Sequence, residues 1–402
     1  MLAKFTAPYK GLSKEIWYLA LITLVNRAGA MVVPFLSLYL TKYMDYSLTQ
    51  VGWVMTSFGV GSVFGVWIGG KLTDKIGFYR VMVLSLSFAG LVLISLQFLH
   101  TFWLLCGGVF LLTFVADGFR PAIYVAIDAY SKPENKTRSV TLIRLAINLG
   151  FSVGPALGGF LIANLSYAGL FWVDGITCIL ATILMVRLLR YKTAGKKPEE
   201  VLIKNLKSPY TDGPYLLFIF SMFLIGFTFL QYFSTIPLFY NQKIGLDEQH
   251  IGWLLALNGL LIFALEMPLV SYFDRKKTKA IKVMIQGLIL LAVSFIVLNT
   301  IDLVGVAIMG MLFMTFGEML AFPFSNTFAM NRSKLGQQGA YMALYSMSFS
   351  FAHILGPNIG LQLTAHYGYY VTWSVMAGLI VLSGMCLLLL NKILKKQNKL
   401  KL

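Results

Sequence analysis

The chain has 402 residues, of which 58% are hydrophobic and 12% are charged, and its formal net charge is +17 at pH 7. An ordinary soluble domain carries roughly 25% charged residues, so this composition excludes an ordinary soluble globular protein. Long apolar runs fill most of the sequence and predict an all-α integral membrane protein. The runs are continuous rather than alternating, which excludes a membrane barrel built of strands.

Twelve apolar runs are long enough to cross a bilayer as helices of about 20 residues. We number them spans 1 to 12 in chain order, and they predict twelve transmembrane helices. The runs cover residues 15–40, 48–70, 79–98, 101–127, 139–163, 167–189, 213–240, 250–272, 280–299, 303–327, 339–364 and 367–391.

Lysine and arginine are distributed unevenly between the two sides of the predicted bundle. With a cytoplasmic N-terminus, most of the 33 Lys and Arg fall in cytoplasmic loops, tails and span ends, whereas Lys42 and Lys243 fall outside. This positive-inside pattern predicts a protein of the cytoplasmic (inner) membrane with both termini in the cytoplasm. The positive charge therefore needs no nucleic-acid partner, and the basic tail is expected to face membrane lipid headgroups or solvent.

Ionisable side chains inside the spans are the first candidates for function. A charge at the bilayer centre costs about 2.5–3.5 kcal/mol on an insertion scale, so such residues should face the bundle interior and find partners. Asn26 and Arg27 lie in span 1, and Asp117 and Arg120 lie in span 4. Asp117 and Arg120 are three residues apart on one helix face, where they can pair. Arg27 can pair with Asp117 across helices; the alternative is that these charges only hold helices together.

A segment rich in glycine and charge joins span 2 to span 3 at residues 70–80, Gly-Lys-Leu-Thr-Asp-Lys-Ile-Gly-Phe-Tyr-Arg. Gly70 lets two helices approach closely. Gly77 allows a tight reversal into span 3. The charged side chains of the segment are expected at the cytoplasmic surface, among them Asp74, Lys75 and Arg80.

This segment resembles the loop between helices 2 and 3 of the major facilitator superfamily, which reads Gly-x-Leu-x-Asp-Arg-x-Gly-Arg-Lys. Phe78 and Tyr79 depart from the basic pair of that family. The resemblance covers essentially the whole chain and implies a transporter whose helices 1, 4, 7 and 10 line a central cavity. The positions that match are Gly70, Leu72, Asp74 and Gly77, with Lys75 keeping the charge.

The resemblance also implies that the segment acts as a conformational latch between helices. In that interpretation Asp74 and Arg80 interact with Asp128, at the cytoplasmic end of span 4. The alternative is that they are ordinary interfacial charges. The second-half copy at residues 274–277, Asp-Arg-Lys-Lys, keeps the charges but loses the glycines, so a weaker latch is expected there.

Span 5 contains the segment Gly-Phe-Ser-Val-Gly-Pro-Ala-Leu-Gly-Gly at residues 150–159. Its proline removes one backbone hydrogen bond and bends the helix, and its glycines form a close-packing stripe. The segment is similar to the superfamily signature Gly-x-x-x-Gly-Pro-x-x-Gly-Gly, which is most often associated with antiporters such as drug exporters. The matching residues of this helix-bend motif are Gly150, Gly154, Pro155, Gly158 and Gly159.

Landmarks of the first half of the chain return about 200 residues later: Gly-Trp at residues 52–53 returns at 252–253, and Gly-Pro at 154–155 returns at 356–357. Such an internal repeat is typical of transporters whose substrate site lies between two halves, near the bilayer midplane. We therefore expect two six-helix bundles related by the repeat. The predicted units are residues 1–190, a cytoplasmic linker over 191–212, and residues 213–402.

The second half contributes polar residues to the predicted cavity. Gln231 and Tyr232 in span 7 are the repeat counterparts of Arg27, and Glu318 lies near the middle of span 10. An apolar setting favours the neutral form of a carboxyl group, so Glu318 is the first choice for proton coupling and Asp117 the second. The alternative is that Glu318 only joins helices. The complete predicted cavity is Asn26, Arg27, Asp117, Arg120, Gln231, Tyr232 and Glu318.

These features favour a proton-coupled secondary transporter that works by alternating access and exports small amphipathic molecules. The competing interpretation is a proton-coupled symporter for nutrients or peptides, because peptide symporters of the superfamily place Arg in helix 1 and Glu in helix 10, as Arg27 and Glu318 do here. A non-transporting receptor or intramembrane enzyme is less favoured, since no nucleophile–base pattern is present. The superfamily default is a monomer.

Other energy sources and cofactors are not expected. The sequence contains no nucleotide-binding loop of the type Gly-x-x-x-x-Gly-Lys-Ser/Thr, so active transport has to draw on an ion gradient. No spacing of metal ligands is present, and the three cysteines lie in predicted spans. The expected partners are therefore a small-molecule substrate, protons and membrane lipid, without a metal ion or cofactor.

Overall fold

The structure is a computed structural model that describes residues 11–132, 136–192, 208–333 and 338–399, and every regular element in those ranges is helical. Short turns of other helix types occur at Tyr39–Tyr43 (π), Pro209–Thr211 and Leu230–Phe233 (both 3₁₀). The α-helices, labelled in chain order, are α1 Lys14–Gly29, α2 Val32–Leu38, α3 Leu48–Ile76, α4 Phe78–Leu96, α5 Phe102–Ala116, α6 Phe119–Tyr130, α7 Lys136–Asn164, α8 Tyr167–Leu188, α9 Gly213–Phe229, α10 Thr235–Gln242, α11 Glu248–Arg275, α12 Ala280–Leu298, α13 Val304–Ser333 and α14 Gln338–Lys399.

Eleven helical stretches in the described ranges are long and apolar enough to cross a membrane. The last of them, Ala340–Gln397, has 58 residues, far more than the 20 or so that one crossing requires. It is interrupted at Gly368, where φ is 80° and ψ is 174°. This backbone conformation suits glycine because a side chain would be strained there. The architecture is that of an integral membrane protein.

Three of the predicted spans are broken near their centres, between α1 and α2, between α5 and α6, and between α9 and α10. A break frees backbone N–H and C=O groups, which inside a bilayer must be satisfied by other protein groups. Arg27, Asp117 and Gln231 each lie at one of these breaks or within one turn of it. The polar residues selected from the sequence therefore coincide with irregular backbone that the sequence analysis did not predict.

The connection between spans 2 and 3 is shorter than predicted. Helix α3 continues to Ile76 and α4 begins at Phe78, so Gly77 alone reverses the chain. Its φ of 88° lies in the left-handed region, which glycine enters without strain. The tight reversal predicted for Gly77 is present, whereas the connecting segment predicted over residues 70–80 was wrong, because it is helical on both sides of Gly77.

Residue contacts divide the chain into two compact units, and α3 and α11 each contribute to both. Unit 1 is built on buried side chains from α1, α4, α6, α7 and α8, including Ile16, Phe78 and Phe119. The ranges are Met1–Met44, Ser57–Glu200 and Asp247–Phe263 for unit 1, and Asp45–Thr56, Val201–Leu246 and Ala264–Leu402 for unit 2.

Unit 2 has an aromatic core. Trp373 in α14 is fully buried, and its ring centroid lies 5.5 Å from that of Phe239 in α10 and 5.7 Å from that of Phe295 in α12. Aromatic side chains bury large apolar areas, and tilted or edge-to-face pairs at these separations are favourable. Trp373 therefore joins three helices of unit 2.

Glycines four residues apart on α3 let that helix approach the main chain of α5 and α6. A Cβ atom at Gly61, Gly65 or Gly69 would overlap main-chain atoms of the neighbouring segment, and at Gly65 the overlap is with the carbonyl group of Phe114. Backbone cannot move aside as a flexible side chain can. This glycine stripe therefore fixes α3 beside the break at Asp117.

We expect Gly65→Ala to lower the free energy of unfolding by about 1–3 kcal/mol, because the added methyl group overpacks the contact between α3 and α5. Unfolding of the purified protein in mixed micelles with increasing SDS measures the effect. Gly107→Ala is the matched control, since no atom lies within 4 Å of its added Cβ, and alanine favours a helix by about 1 kcal/mol. Equal stability of the two variants would show that the stripe is not close-packed.

Candidate functional site

Asp117 lies at the break between α5 and α6 and is 9% exposed. The Nε atom of Arg120 is 2.9 Å from its Oδ1 atom, so the ion pair expected from the three-residue spacing is present. The hydroxyl group of Ser62 in α3 donates a hydrogen bond to the other carboxylate oxygen. The side chain of Arg120 is 49% exposed. Asp117 is thus a buried carboxylate whose cationic partner reaches an open surface of unit 1.

Arg27 is half-buried in α1, and its guanidinium carbon lies 5.5 Å from the centre of the Phe151 ring in α7. Asp117, Arg120 and Asp174 are close enough for their charges to act on it. A guanidinium group over an aromatic face is stabilised electrostatically. Unit 1 therefore brings two arginines and two aspartates into one neighbourhood inside apolar helices, and we call Arg27, Asp117, Arg120 and Asp174 the charge cluster.

Asp174 is a charged residue that the sequence analysis missed. It lies in α8 and is 5% exposed, and its Oδ2 atom accepts hydrogen bonds from the backbone N–H groups of Met31 and Val32, both at 3.2 Å. One turn further along α8, Cys178 Sγ accepts a hydrogen bond of 3.3 Å from Asn26 Nδ2. The signal was available, because an acid inside the apolar run of span 6 is as unusual as one in span 4.

The helix-bend motif in α7 packs against the break that follows α1. A Cβ atom on Gly150 would overlap Arg27, and one on Gly154 would lie 3.2 Å from the carbonyl oxygen of Ala30. A Cβ atom on Gly158 would lie 3.1 Å from Cβ of Met31, which lies in the break. The predicted close-packing stripe is therefore present, and it holds the main chain of Arg27.

The remaining residues of that motif face the first turns of α11. A Cβ on Gly159 would overlap the main chain of Glu248, and one on Gly252 would overlap the carbonyl oxygen of Pro155. The Glu248 carboxylate also receives a hydrogen bond and ion pair of 2.6 Å from Lys42 Nζ. The end of the first span, α7 and the start of α11 are thus joined within unit 1.

Gln231 is fully buried in unit 2 and its amide group is used by the fold. Its Nε2 atom donates to the carbonyl oxygens of Gly356, at 2.7 Å, and Phe227, at 3.2 Å, and its Oε1 atom accepts from the hydroxyl group of Thr235 at 2.6 Å. The predicted exposure of Gln231 to a cavity is not present in this structure. The physical reason is that this amide bonds to the carbonyl oxygen of Phe227, just before the break between α9 and α10, and to that of Gly356 in α14.

Tyr232 and Glu318 lie close together in unit 2. Tyr232 is 1% exposed and its ring stacks with that of Phe229, with centroids 6.4 Å apart. Glu318 is half-buried in the uninterrupted α13, and its charge acts on the hydroxyl group of Tyr232. The ring of Phe322, one turn after Glu318, lies 4.9 Å from that of Phe229. The carboxyl group of Glu318 is thus bordered by aromatic side chains.

A comparison with protein families supplies the decisive observation. The family model of the Major Facilitator Superfamily matches residues 19–357. The chain belongs to the major facilitator superfamily. The resemblance seen in the sequence is thereby confirmed, and membership indicates a transporter rather than an enzyme.

Relatives within the superfamily align along nearly the whole chain. The uncharacterised MFS-type transporter YttB of Bacillus subtilis (strain 168) is 28% identical, covering 92% of this chain and 94% of the relative. The Na(+), Li(+), K(+)/H(+) antiporter of Planococcus maritimus is 22% identical, covering 90% and 91%. Multidrug resistance protein 2 of Bacillus subtilis (strain 168) is also 22% identical, covering 90% and 91%.

The residues predicted to form a latch include the turn at Gly77 between α3 and α4 and Asp128 in α6. Gly70 lies beside Pro121 of α6, with its added Cβ 4.0 Å from that ring, so α3 and α6 are close there. The guanidinium carbon of Arg80 lies 5.7 Å from the centre of the Tyr191 ring. An interaction of Asp74 and Arg80 with Asp128 stays a prediction. The exposed acidic and basic members of the predicted latch are Asp74, Lys75, Arg80 and Asp128.

A buried ion pair in unit 2 was not predicted from the sequence. Asp212 has no exposed surface; its Oδ1 atom is 2.6 Å from Nη2 of Arg332 and its Oδ2 atom is 2.8 Å from Nε of the same residue. The hydroxyl group of Tyr341 donates a further bond of 2.8 Å to Oδ2. The sequence analysis placed Asp212 in the linker and Arg332 in a loop, where charges are usually solvated.

The described residues offer no cluster of three His, Cys, Asp or Glu side chains that could hold a metal ion. Their three cysteines are free thiols.

Proposed function

We propose that this superfamily member is a proton-coupled secondary transporter that exports small amphipathic molecules by alternating access. The observation that carries the proposal is the buried carboxylate of Asp117, paired with Arg120 and with Arg27 close by, inside apolar helices. Charges in such positions are costly and mark substrate or proton pathways. The helix-bend motif and the names of two relatives, an antiporter and a multidrug resistance protein, support export by antiport.

The proposed architecture is a monomer of two six-helix bundles related by an internal repeat, residues 1–190 and 213–402, joined by a linker over 191–212. Counting the helical segments on either side of Gly368 separately gives a total of twelve spans, which supports this proposal. The distribution of Lys and Arg supports a cytoplasmic-membrane protein with both termini in the cytoplasm.

In the proposed mechanism, the two bundles rock about a central cavity that contains Asn26, Arg27 and Arg120, with Gln231 and Tyr232 supporting its wall. Protons bind to Glu318 or to Asp117. Binding shifts the balance between two conformations only if the proton has different affinities for them. Glu318 is half-buried beside aromatic side chains. Movement of the helices would change how much of its carboxyl group is exposed to water, and with it the affinity for a proton.

Two other substrate classes are outcomes of the same test. The first class is the alkali cations Na⁺, Li⁺ and K⁺, which the name of the antiporter from Planococcus maritimus gives as exchanged ions. The charges of Arg27 and Glu318 also suit a zwitterion such as a dipeptide, carried inward with protons.

We expect that, in proteoliposomes enclosing a pH-sensitive dye, a lipophilic cation moves protons against its own flux, and that Glu318→Gln abolishes this movement. Glutamine keeps the size of the side chain but holds no titrating proton. The panel contains lipophilic cations, dipeptides and the chlorides of the three alkali metals. Asp302→Asn is the control, since this acid is exposed and bonded to Tyr370 at 3.1 Å.

Entry of dipeptides together with protons would replace export by symport, and exchange of alkali cations alone would replace drug export by cation antiport. If Glu318→Gln keeps full coupling, Glu318 is structural and Asp117 becomes the coupling candidate. A wild-type protein that moves no solute and no proton would contradict the proposed function.

A further inference from the structure

Asp174 is a buried carboxylate that the proposed transport mechanism does not use. With 5% of its surface exposed, it accepts two backbone hydrogen bonds of 3.2 Å from Met31 and Val32, the residues with which the chain resumes its helical path after the break. A carboxylate at the start of a helix is favoured by the free N–H groups and by the helix dipole. Two amide bonds alone do not offset the burial of a full charge.

The charged neighbourhood of Asp174 identifies its partner. The charge of Arg27, in α1, acts on Asp174, and within α8 the charge of Asp174 acts on the thiol of Cys178. Helix α4 also packs on α8, through Gly90, which lies against Gly175 and contributes no charge. Of the other members of the charge cluster, Asp117 already has Arg120 at 2.9 Å. Arg27 is therefore the cation that balances Asp174.

We propose that Asp174 is a positioning residue for Arg27: its carboxylate ties the break in the first span to α8 and supplies the negative charge that keeps the guanidinium group in place. Gly150 in α7 also packs against Arg27, because a Cβ there would overlap Cβ and the carbonyl carbon of Arg27. The expectation that Arg27 contacts the substrate rests on the proposed function. The structural coupling of Asp174 to Arg27 is separate from that statement.

The balance of charges gives the expected effect on substrates. The charge cluster contains two arginines and two aspartates and sums to zero when all four residues are ionised. Removing the charge of Asp174 leaves one positive charge in excess near the substrate. A lipophilic cation should then bind more weakly, so we expect its KM to rise about tenfold with a smaller change in kcat, as loss of ground-state binding predicts.

The test is a double-mutant cycle on the full chain in detergent, read by the unfolding temperature. Asp174→Asn keeps an oxygen that can accept both backbone N–H groups but removes the charge, and Arg27→Met removes the opposite charge. We expect each single variant to unfold several degrees below the wild type and the double variant to recover most of that loss, because neither charge is then left unbalanced. Asp174→Ala, which also loses the acceptor, should remain destabilised when combined with Arg27→Met.

Thr182→Val on the same helix is the control, since Thr182 is 9% exposed and its hydroxyl group donates to the carbonyl oxygen of Cys178 at 3.0 Å. The effect of Thr182→Val should add to that of Arg27→Met. Additive effects of Asp174→Asn and Arg27→Met, or a single Asp174→Asn variant as stable as the wild type, would overturn the proposal. If Asp174→Asn does not fold, folding of the double variant supports it and failure of the double variant overturns it. Absence of transport in the wild type would contradict the proposed function while the cycle still decides the role of Asp174.

Discussion

Replacing Arg332 by methionine is expected to lower the free energy of unfolding by about 3–5 kcal/mol, because it leaves a buried carboxylate without its cation. The carboxylate is that of Asp212, which has no exposed surface and pairs with Arg332 through two contacts of 2.6 and 2.8 Å. Methionine has a similar length and leaves little empty space. The loss therefore reports the uncompensated charge rather than a cavity.

The same pair joins three segments of unit 2 that are distant in sequence. Asp212 immediately precedes α9, and Arg332 lies in the last turn of α13. The hydroxyl group of Tyr341, near the start of α14, donates a hydrogen bond of 2.8 Å to Asp212. Tyr215 donates in turn to the main chain of Tyr341 at 2.6 Å. The pair is thus the centre of a hydrogen-bonded network, and breaking it disturbs the ends of three helices.

Unfolding in mixed micelles with increasing SDS measures the loss, with Arg275→Met as the control. Arg275 is exposed at the end of α11 and bonds to Ser271 of its own helix at 3.2 Å, so its replacement should change stability by no more than about 0.5 kcal/mol. The double variant Asp212→Asn/Arg332→Met should recover most of the loss, since asparagine is neutral and still accepts from Tyr341. Equal stability of Arg332→Met and Arg275→Met would contradict the expectation.

The spans could be predicted from the sequence because a bilayer demands long apolar runs, and that demand is visible residue by residue. The breaks at Ala30, at Asp117 and at Leu230 could not, because the apolar runs continue through them. At the first break the backbone N–H groups of Met31 and Val32 bond to Asp174, and at the third the side chain of Gln231 bonds to the carbonyl oxygen of Gly356. A single sequence does not indicate which distant side chain will form these hydrogen bonds.

In the candidate site, too, local contacts could be predicted from the sequence and contacts between distant residues could not. Asp117 and Arg120 were predicted to pair because a helix sets the geometry of residues three apart. The pairing of Asp212 with Arg332, 120 residues apart, has no local cause and was missed. Gln231 was selected for its polarity, but polarity alone does not distinguish a side chain that meets a substrate from one that satisfies the main chain.

The second large effect is expected at Asp117. Asparagine at this position has nearly the same volume and still accepts the hydrogen bond from Ser62, but it carries no charge. The guanidinium group of Arg120, now 2.9 Å from Asp117 Oδ1, then loses its anionic partner, and Arg27 loses one of two nearby acids. Removing one member of a close charge pair costs about 2–5 kcal/mol. Proton-coupled transport should accordingly fall by about two orders of magnitude, since each 1.4 kcal/mol is tenfold.

The measurement is the rate of dye-reported proton movement in proteoliposomes at equal protein content, with the unfolding temperature recorded for each variant. Ser62→Ala is the matched control, because it removes the hydrogen bond and keeps the charge of Asp117. A hydrogen bond to a charged group contributes about 1.5–3 kcal/mol, so the rate of Ser62→Ala should fall less than that of Asp117→Asn. If Ser62→Ala impairs transport as much as Asp117→Asn, the packing of α3 on the break matters and the charge does not. If Asp117→Asn transports at the wild-type rate, Asp117 only stabilises the break between α5 and α6, and Glu318 remains the candidate for proton coupling.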